Sequence, residues 1–133
     1  MGHMRLDGRV VLVVDDDGAA RRAVVAQLRE AGFRVRVQSG ASFSSSAIDR
    51  ADVVVTEIFM PGMDGFEVLR AVRRRRFDMP VIALSGGHPA MPEALKAMIT
   101  LGACAALAKP VEPAALVGAV AGALSRLHVA AAG

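Results

Sequence analysis

Ala51-Asp-Val-Val-Val-Thr-Glu-Ile-Phe-Met-Pro-Gly-Met-Asp-Gly65 is the stretch on which the fold turns. Its Val53-Val54-Val55 run reads as a strand that ends on a carboxylate, Glu57. A helix is expected to begin at Asp64 and to pack Phe66, Leu69 and Val72. Three further apolar runs share this layout, each closing on a polar side chain. Val10-Val-Leu-Val-Val14 ends in the acidic run Asp15-Asp16-Asp17. Val81-Ile-Ala-Leu84 ends in Ser85, and Ala105-Ala-Leu-Ala108 ends in Lys109-Pro110.

Helical stretches separate these runs, and regular alternation of short strands with helices argues for an α/β fold with a parallel sheet. The first helix is expected from about Ala19 to Ala31, with Val24, Leu28 and Ala31 on one face and Gly32 at the left-handed position after it. Phe33-Arg-Val-Arg-Val37 alternates apolar and charged residues, as an edge strand with one wet face should. Ser39 to Arg50 is serine-rich, so its helix is expected to be short or irregular. The fourth helix holds Leu95, Met98 and Ile99. The fifth opens at Pro113 and carries Leu116, Val117, Val120, Leu124 and Leu127 at helical spacing. Five strands and five helices in strict alternation suit a doubly wound sheet of order 2-1-3-4-5. Such a sheet binds its ligands outside the C-terminal strand ends, beside strand one. Asp15, Asp16, Glu57, Ser85 and Lys109 all fall on that rim.

Composition narrows the function. The chain has 133 residues, a size for one domain, and 53% hydrophobic content suits a packed core. No apolar stretch nears the roughly 20 residues that span a bilayer. Met1-Gly-His-Met4 reads as a cloning scar, leaving residues 5–133 as a single domain; no signal peptide is expected, and the location is expected to be cytoplasmic. The single cysteine, Cys104, fits a reducing compartment and is expected to be a small packing residue. The net charge of +3 is mild, and Arg73-Arg-Arg-Arg76 supplies most of the excess. A cationic helix end is favoured by the helix dipole, so this run is expected to be solvated. With no Tyr, no Trp and no DNA-reading unit, nucleic-acid binding by this chain is not expected.

The acid pair, carboxylate, hydroxyl and lysine, each at a strand end and in this order, resemble the receiver domains of response regulators over nearly the whole chain. In that family a short carboxylate, aspartate, ends the third strand and is followed by x-x-Met-Pro-x-Met-Asp-Gly. Here Met60-Pro61 and Met63-Asp64-Gly65 match, but Glu57 stands in the acceptor position. The resemblance implies a phosphorelay signalling module rather than an enzyme, with a histidine kinase, a phosphotransfer protein or a downstream effector as partner. It also implies Mg²⁺ held by Asp16 directly, Asp15 through water, Glu57 in the third carboxylate position and the backbone carbonyl of Phe59. Clustered carboxylates repel one another, and a hard divalent cation relieves them. Lys109 and Ser85 would stabilise phosphoryl oxygens, a task of positioning and electrostatics.

Two departures bear on this expectation. Glu57 carries its carboxylate out by one C–C bond, about 1.5 Å. Misplacing a nucleophile by such a distance costs on the order of a hundredfold in rate. The longer side chain also reaches the space of a phosphoryl group, where its charge is expected to pair with Lys109 and mimic the phosphorylated state in part. At Ala106 the family places Tyr or Phe, whose rotamer follows the Ser85 hydroxyl; alanine has no rotamer to change. His88, after Gly86-Gly87, is expected to be an exposed loop residue, and His128 a surface residue.

Other readings stay open at this level. One is a working receiver phosphorylated on Glu57 or a neighbouring acid. Another is a dimerisation domain pairing through the Ala-, Leu- and Met-rich surface of helix four, strand five and helix five. The third is a Mg²⁺-dependent phosphatase of the haloacid dehalogenase type. That last family wants an Asp-x-Asp pair after the first strand and a cap insertion, and this chain offers a contiguous acid run and no insertion.

Overall fold

The computed structural model describes residues 8–132, with side chains as far as residue 126. Met1–Met4 with His3, and the side chains of Leu127 and His128, lie outside the described residues. The elements are β1 (Val10–Val14), α1 (Gly18–Glu30), β2 (Arg34–Gln38), a 3₁₀ helix (Ser45–Arg50), β3 (Val53–Glu57), α2 (Gly65–Arg75), β4 (Val81–Ser85), α3 (Met91–Thr100), β5 (Ala105–Ala108) and α4 (Pro113–Ala132). With the 3₁₀ helix standing second, these are the five expected helices. The sheet has the expected order β2-β1-β3-β4-β5, every pair parallel.

The central strands read as continuous apolar runs because helices cover both faces of the sheet. Successive side chains alternate between two layers. Leu12, Val14, Val54, Val81 and Ala83 pack with Val68, Leu69 and Val72 of α2 and Met98 of α3. Val11, Val13, Val53, Val55, Ile82 and Leu84 face the other way, onto Val24 and Leu28 of α1 and Leu116, Val120 and Leu124 of α4. Burying each such side chain is worth about 1.5–3 kcal/mol. The arrangement holds β1, β3 and β4 side by side, with their C-terminal ends at one rim.

The serine-rich segment forms only the short 3₁₀ helix, capped by the Ser44 hydroxyl on the Ser46 amide. Gly32, at φ +101°, follows the last turn of α1 as expected. Two expectations are corrected. Cys104 is exposed rather than packed: its backbone N–H is tied to Val81 O at 2.8 Å, while its side chain meets solvent. The arginine run is not merely a solvated helix end. Arg73 donates to Met79 O and Gly102 O, both at 2.6 Å, Arg75 pairs with Asp49, and Arg76 donates to Ala51 O at 3.2 Å. The last turn of α2 lies over the carbonyls of three neighbouring segments, and long planar guanidinium groups reach them.

Candidate functional site

The rim of the sheet gathers the strand-end residues around one open cleft of about 690 Å³. It is lined by Asp15, Asp16, Glu57, Phe59, His88 and Lys109, among others. Its centre is an ion-paired trio. Lys109 Nζ lies 2.7 Å from Asp15 Oδ2 and 2.5 Å from Glu57 Oε2. Only 2% of the Asp15 side chain, 8% of Glu57 and 15% of Lys109 is exposed, so these charges interact with little solvent screening. Burial opposes the lysine charge, yet Asp15 and Glu57 outweigh it and hold the ammonium above its usual pKa range.

Local sequence explains how each group arrives there. Asp17 caps α1 through Ala19 N and Ala20 N, which turns the chain sharply after β1. Asp15 points inward, its Oδ1 accepting from Asp17 N at 2.9 Å. On the next strand, Glu57 Oε1 accepts from Phe59 N at 3.4 Å, which curls the side chain over its own loop. Asp64 and Glu67 form a reciprocal capping box that starts α2 immediately behind that loop. Gly65 makes this possible. A Cβ there would meet Glu57 O at 2.6 Å and Ile58 Cα at 2.7 Å. Gly86 plays the same part opposite, where a Cβ would stand 2.8 Å from Lys109 Cβ. Lys109 N donates to Ser85 O at 2.8 Å, fixing the lysine backbone to the end of β4.

The expected pairing of Glu57 with Lys109 is present in this geometry. Asp15, Asp16 and Glu57 line the same cleft, but their carboxylates take different partners. Asp16 Oδ1 accepts from Gly40 N at 2.7 Å, and the other two carboxylates clamp the lysine. Among the described residues no group of three His, Cys, Asp or Glu side chains is disposed to hold a metal ion. The donor set nevertheless fits a hard cation in kind, since the carboxylates of Asp15, Asp16 and Glu57 line the same cleft.

Ser85 is fully buried and its hydroxyl has no hydrogen-bond partner in the fold. A buried hydroxyl without a partner costs free energy, and Ser85 carries that cost at the end of β4, beneath the cleft rather than on its lining. Ala106 sits opposite Ala83 in the β4–β5 ladder and packs against the core, with no ring to follow that hydroxyl.

Sequence reasoning left two contacts unseen. Asp15 shares the lysine, and the imidazole of His88 stacks on the Phe59 ring, with centroids 3.8 Å apart and planes 4° from parallel. His88 Nδ1 accepts from Ala90 N at 3.0 Å, which orients the imidazole. The signal for His88 was its place three residues after Ser85 on the same rim. Nothing local foretells that Asp16 meets Gly40, 24 positions away.

Residues 11–121 match the family model of the response regulator receiver domain. The chain belongs to that family. Receiver domains are the signal-receiving modules of two-component systems, and they bind Mg²⁺ at their phosphorylation site as a class.

Among curated relatives, this receiver is 38% identical over 119 residues to the transcriptional regulatory protein FixJ of Azorhizobium caulinodans, covering 87% of this chain and 55% of FixJ. It is 34% identical over 122 residues to the DNA-binding transcriptional regulator NtrC of Rhizobium meliloti, covering 90% of this chain and 25% of NtrC. The chain thus spans about half or a quarter of the length of these relatives. Among solved structures, a response regulator receiver domain protein of Clostridium thermocellum superposes with TM-score 0.77 at 29% identity, covering 91% of this chain and 98% of that one. NtrX of Brucella abortus superposes with TM-score 0.81 at 27% identity, covering 92% of this chain and 28% of that one. Among the described residues no helix of this receiver is long and apolar enough to cross a membrane.

Proposed function

We propose that this receiver is an atypical one, in which Glu57 replaces the phosphoacceptor and partly mimics the phosphorylated state. The observation that carries the reading is the 2.5 Å contact between Glu57 Oε2 and Lys109 Nζ. The side chain places a fixed negative charge against the lysine that would otherwise stabilise phosphoryl oxygens. A carboxylate brings one negative charge where a phosphoryl group brings nearly two, so the mimicry is partial. Ser85 keeps its unpartnered hydroxyl, which a third phosphoryl oxygen would satisfy and a carboxylate does not.

In this reading Asp15, Asp16 and the Phe59 carbonyl would hold Mg²⁺, whose charge would support the phosphoryl oxygens of an acceptor-restored protein. Lys109 competes for Asp15, so the cation binds weakly while Glu57 and Lys109 stay paired. Residues 5–133 act as one receiver unit in the cytoplasm, with no chemistry of their own to turn over. Output comes from contact with a histidine kinase, a phosphotransfer protein or a downstream effector. Self-association through α3, β5 and α4 is a further part of this proposal.

Intact-mass spectrometry after incubation with acetyl phosphate and Mg²⁺ tests the reading, with Glu57→Asp run alongside. Gain of one phosphoryl group by the Asp variant alone is the expected result. A mass gain by the parent protein would instead make it a working receiver, phosphorylated on Glu57 or a neighbouring acid. No gain by either would mean that the pocket has lost more than the acceptor.

A further inference from the structure

Two arginines of α2 are left over by the fold. Arg70 and Arg74 stand one turn apart and exposed, and neither makes a hydrogen bond or ion pair to any described residue. Their neighbours differ, since Arg73, Arg75 and Arg76 are engaged by Met79, Gly102, Asp49 and Ala51. The free pair borders a groove of about 510 Å³ between α2 and the 3₁₀ helix, lined by Phe43, Ser45, Met63, Ala71, Arg74 and Arg75. A smaller hollow of about 120 Å³ continues it, sharing Met63, Ala71 and Arg74 and adding Arg70 and Glu67.

The groove combines two chemistries. Its floor is apolar, because Phe43 and Met63 rest partly buried on the core beneath. Its rim carries a net positive charge. Glu67 brings one carboxylate to the same hollow, held by Asp64 N at 3.2 Å in the capping box, against the two guanidinium groups of Arg70 and Arg74. An apolar floor gains from a side chain that displaces water, and free guanidinium groups gain from carboxylates that reach them bidentately.

We infer that this groove docks an acidic amphipathic segment of a partner protein. One bulky apolar side chain of that segment rests on Phe43, Met63 and Ala71, and its carboxylates meet Arg70 and Arg74. Nucleic acid fits less well. Binding a duplex through its phosphates draws on roughly 6–10 contacts. Among the described residues that line the groove and its hollow, only Arg70 and Arg74 are free cations, and the arginines of α1 belong to the opposite layer of the sheet. Met63 lies on the loop that also carries Phe59, so an occupant bears directly on the segment joining β3 to α2. The inference does not depend on whether Glu57 accepts phosphate.

The probe is a fluorescein-labelled synthetic peptide of alternating Asp or Glu with Leu and Phe, added to the full chain. Anisotropy reads the affinity, and the ¹³C methyl resonance of Met63 reads the place. Binding with a shift of the Met63 methyl is expected. Arg70→Ala with Arg74→Ala should weaken it about tenfold. Ala71→Arg should weaken it as well, because the added side chain fills the groove even though it adds positive charge. A peptide with Ser for every Leu and Phe should bind at least about tenfold more weakly. Circular dichroism of the variants should match the parent, since each change is on the exposed side of α2. No binding by the amphipathic peptide, equal binding by its serine counterpart, or indifference to the arginine changes would overturn the inference. Duplex DNA that binds more tightly and loses affinity with the same arginines would assign the groove to nucleic acid instead.

Discussion

Replacing Lys109 by methionine removes the one cation between two buried carboxylates. The Asp15 and Glu57 side chains are 2% and 8% exposed, and each touches the ammonium. Breaking a buried pair by deleting one partner typically costs about 3–5 kcal/mol, because a charge is left desolvated and unmatched. The Lys109 side chain keeps 15% exposure, which admits some water and argues for the lower end, about 3 kcal/mol. In a domain of this size that loss lowers the melting temperature by roughly 10 °C. Glu57→Gln should cost less, about 1 kcal/mol, because Lys109 retains Asp15 at 2.7 Å. Urea unfolding followed by far-ultraviolet circular dichroism suits this comparison, since the chain has no Trp or Tyr to report by fluorescence. If Lys109→Met proved no more costly than Glu57→Gln, the trio would not be the electrostatic unit described here.

Other outcomes follow from the same geometry. Gly65→Ala drives a Cβ to 2.6 Å from Glu57 O and 2.7 Å from Ile58 Cα, both backbone atoms, so a loss of about 1–3 kcal/mol is expected in the same unfolding assay. Ser85→Ala removes a buried hydroxyl that has no partner; it should leave stability unchanged or raise it by up to about 1 kcal/mol. In a Glu57→Asp background the same change should slow phosphoryl gain by intact mass. Lys109 has a raised pKa in the fold, so its contribution is full below the unfolded lysine value of about 10.4 and is lost as pH climbs through the folded one. The stability gap between the parent and Lys109→Met should therefore close in strong alkali, and a constant gap would contradict the pairing.

Much of this receiver was legible from local pattern. The apolar runs closing on Asp15, Glu57, Ser85 and Lys109 mark each strand and its end point in consecutive residues. Their alternation with helices fixes a parallel sheet, and with it a shared rim for those four side chains. The weak second helix was legible too, since serine-rich sequence competes with helical hydrogen bonds. Cys104 was misjudged because one apolar residue at the start of an edge strand has no neighbouring pattern to say which way it faces. The arginine run was misjudged for a related reason. Helix position predicts where a guanidinium starts, not which carbonyl from another segment lies within its reach.

Element order, the sheet and the set of residues that meet at its rim follow from periodicity and chain connectivity, which are properties of neighbours along the chain. Who pairs with whom at that rim emerges on folding. Asp15 joins Glu57 on Lys109, Asp16 turns to Gly40, His88 lies flat on Phe59, and Arg70 and Arg74 are left free. Each of those outcomes depends on partners brought together from distant segments, which no local pattern encodes.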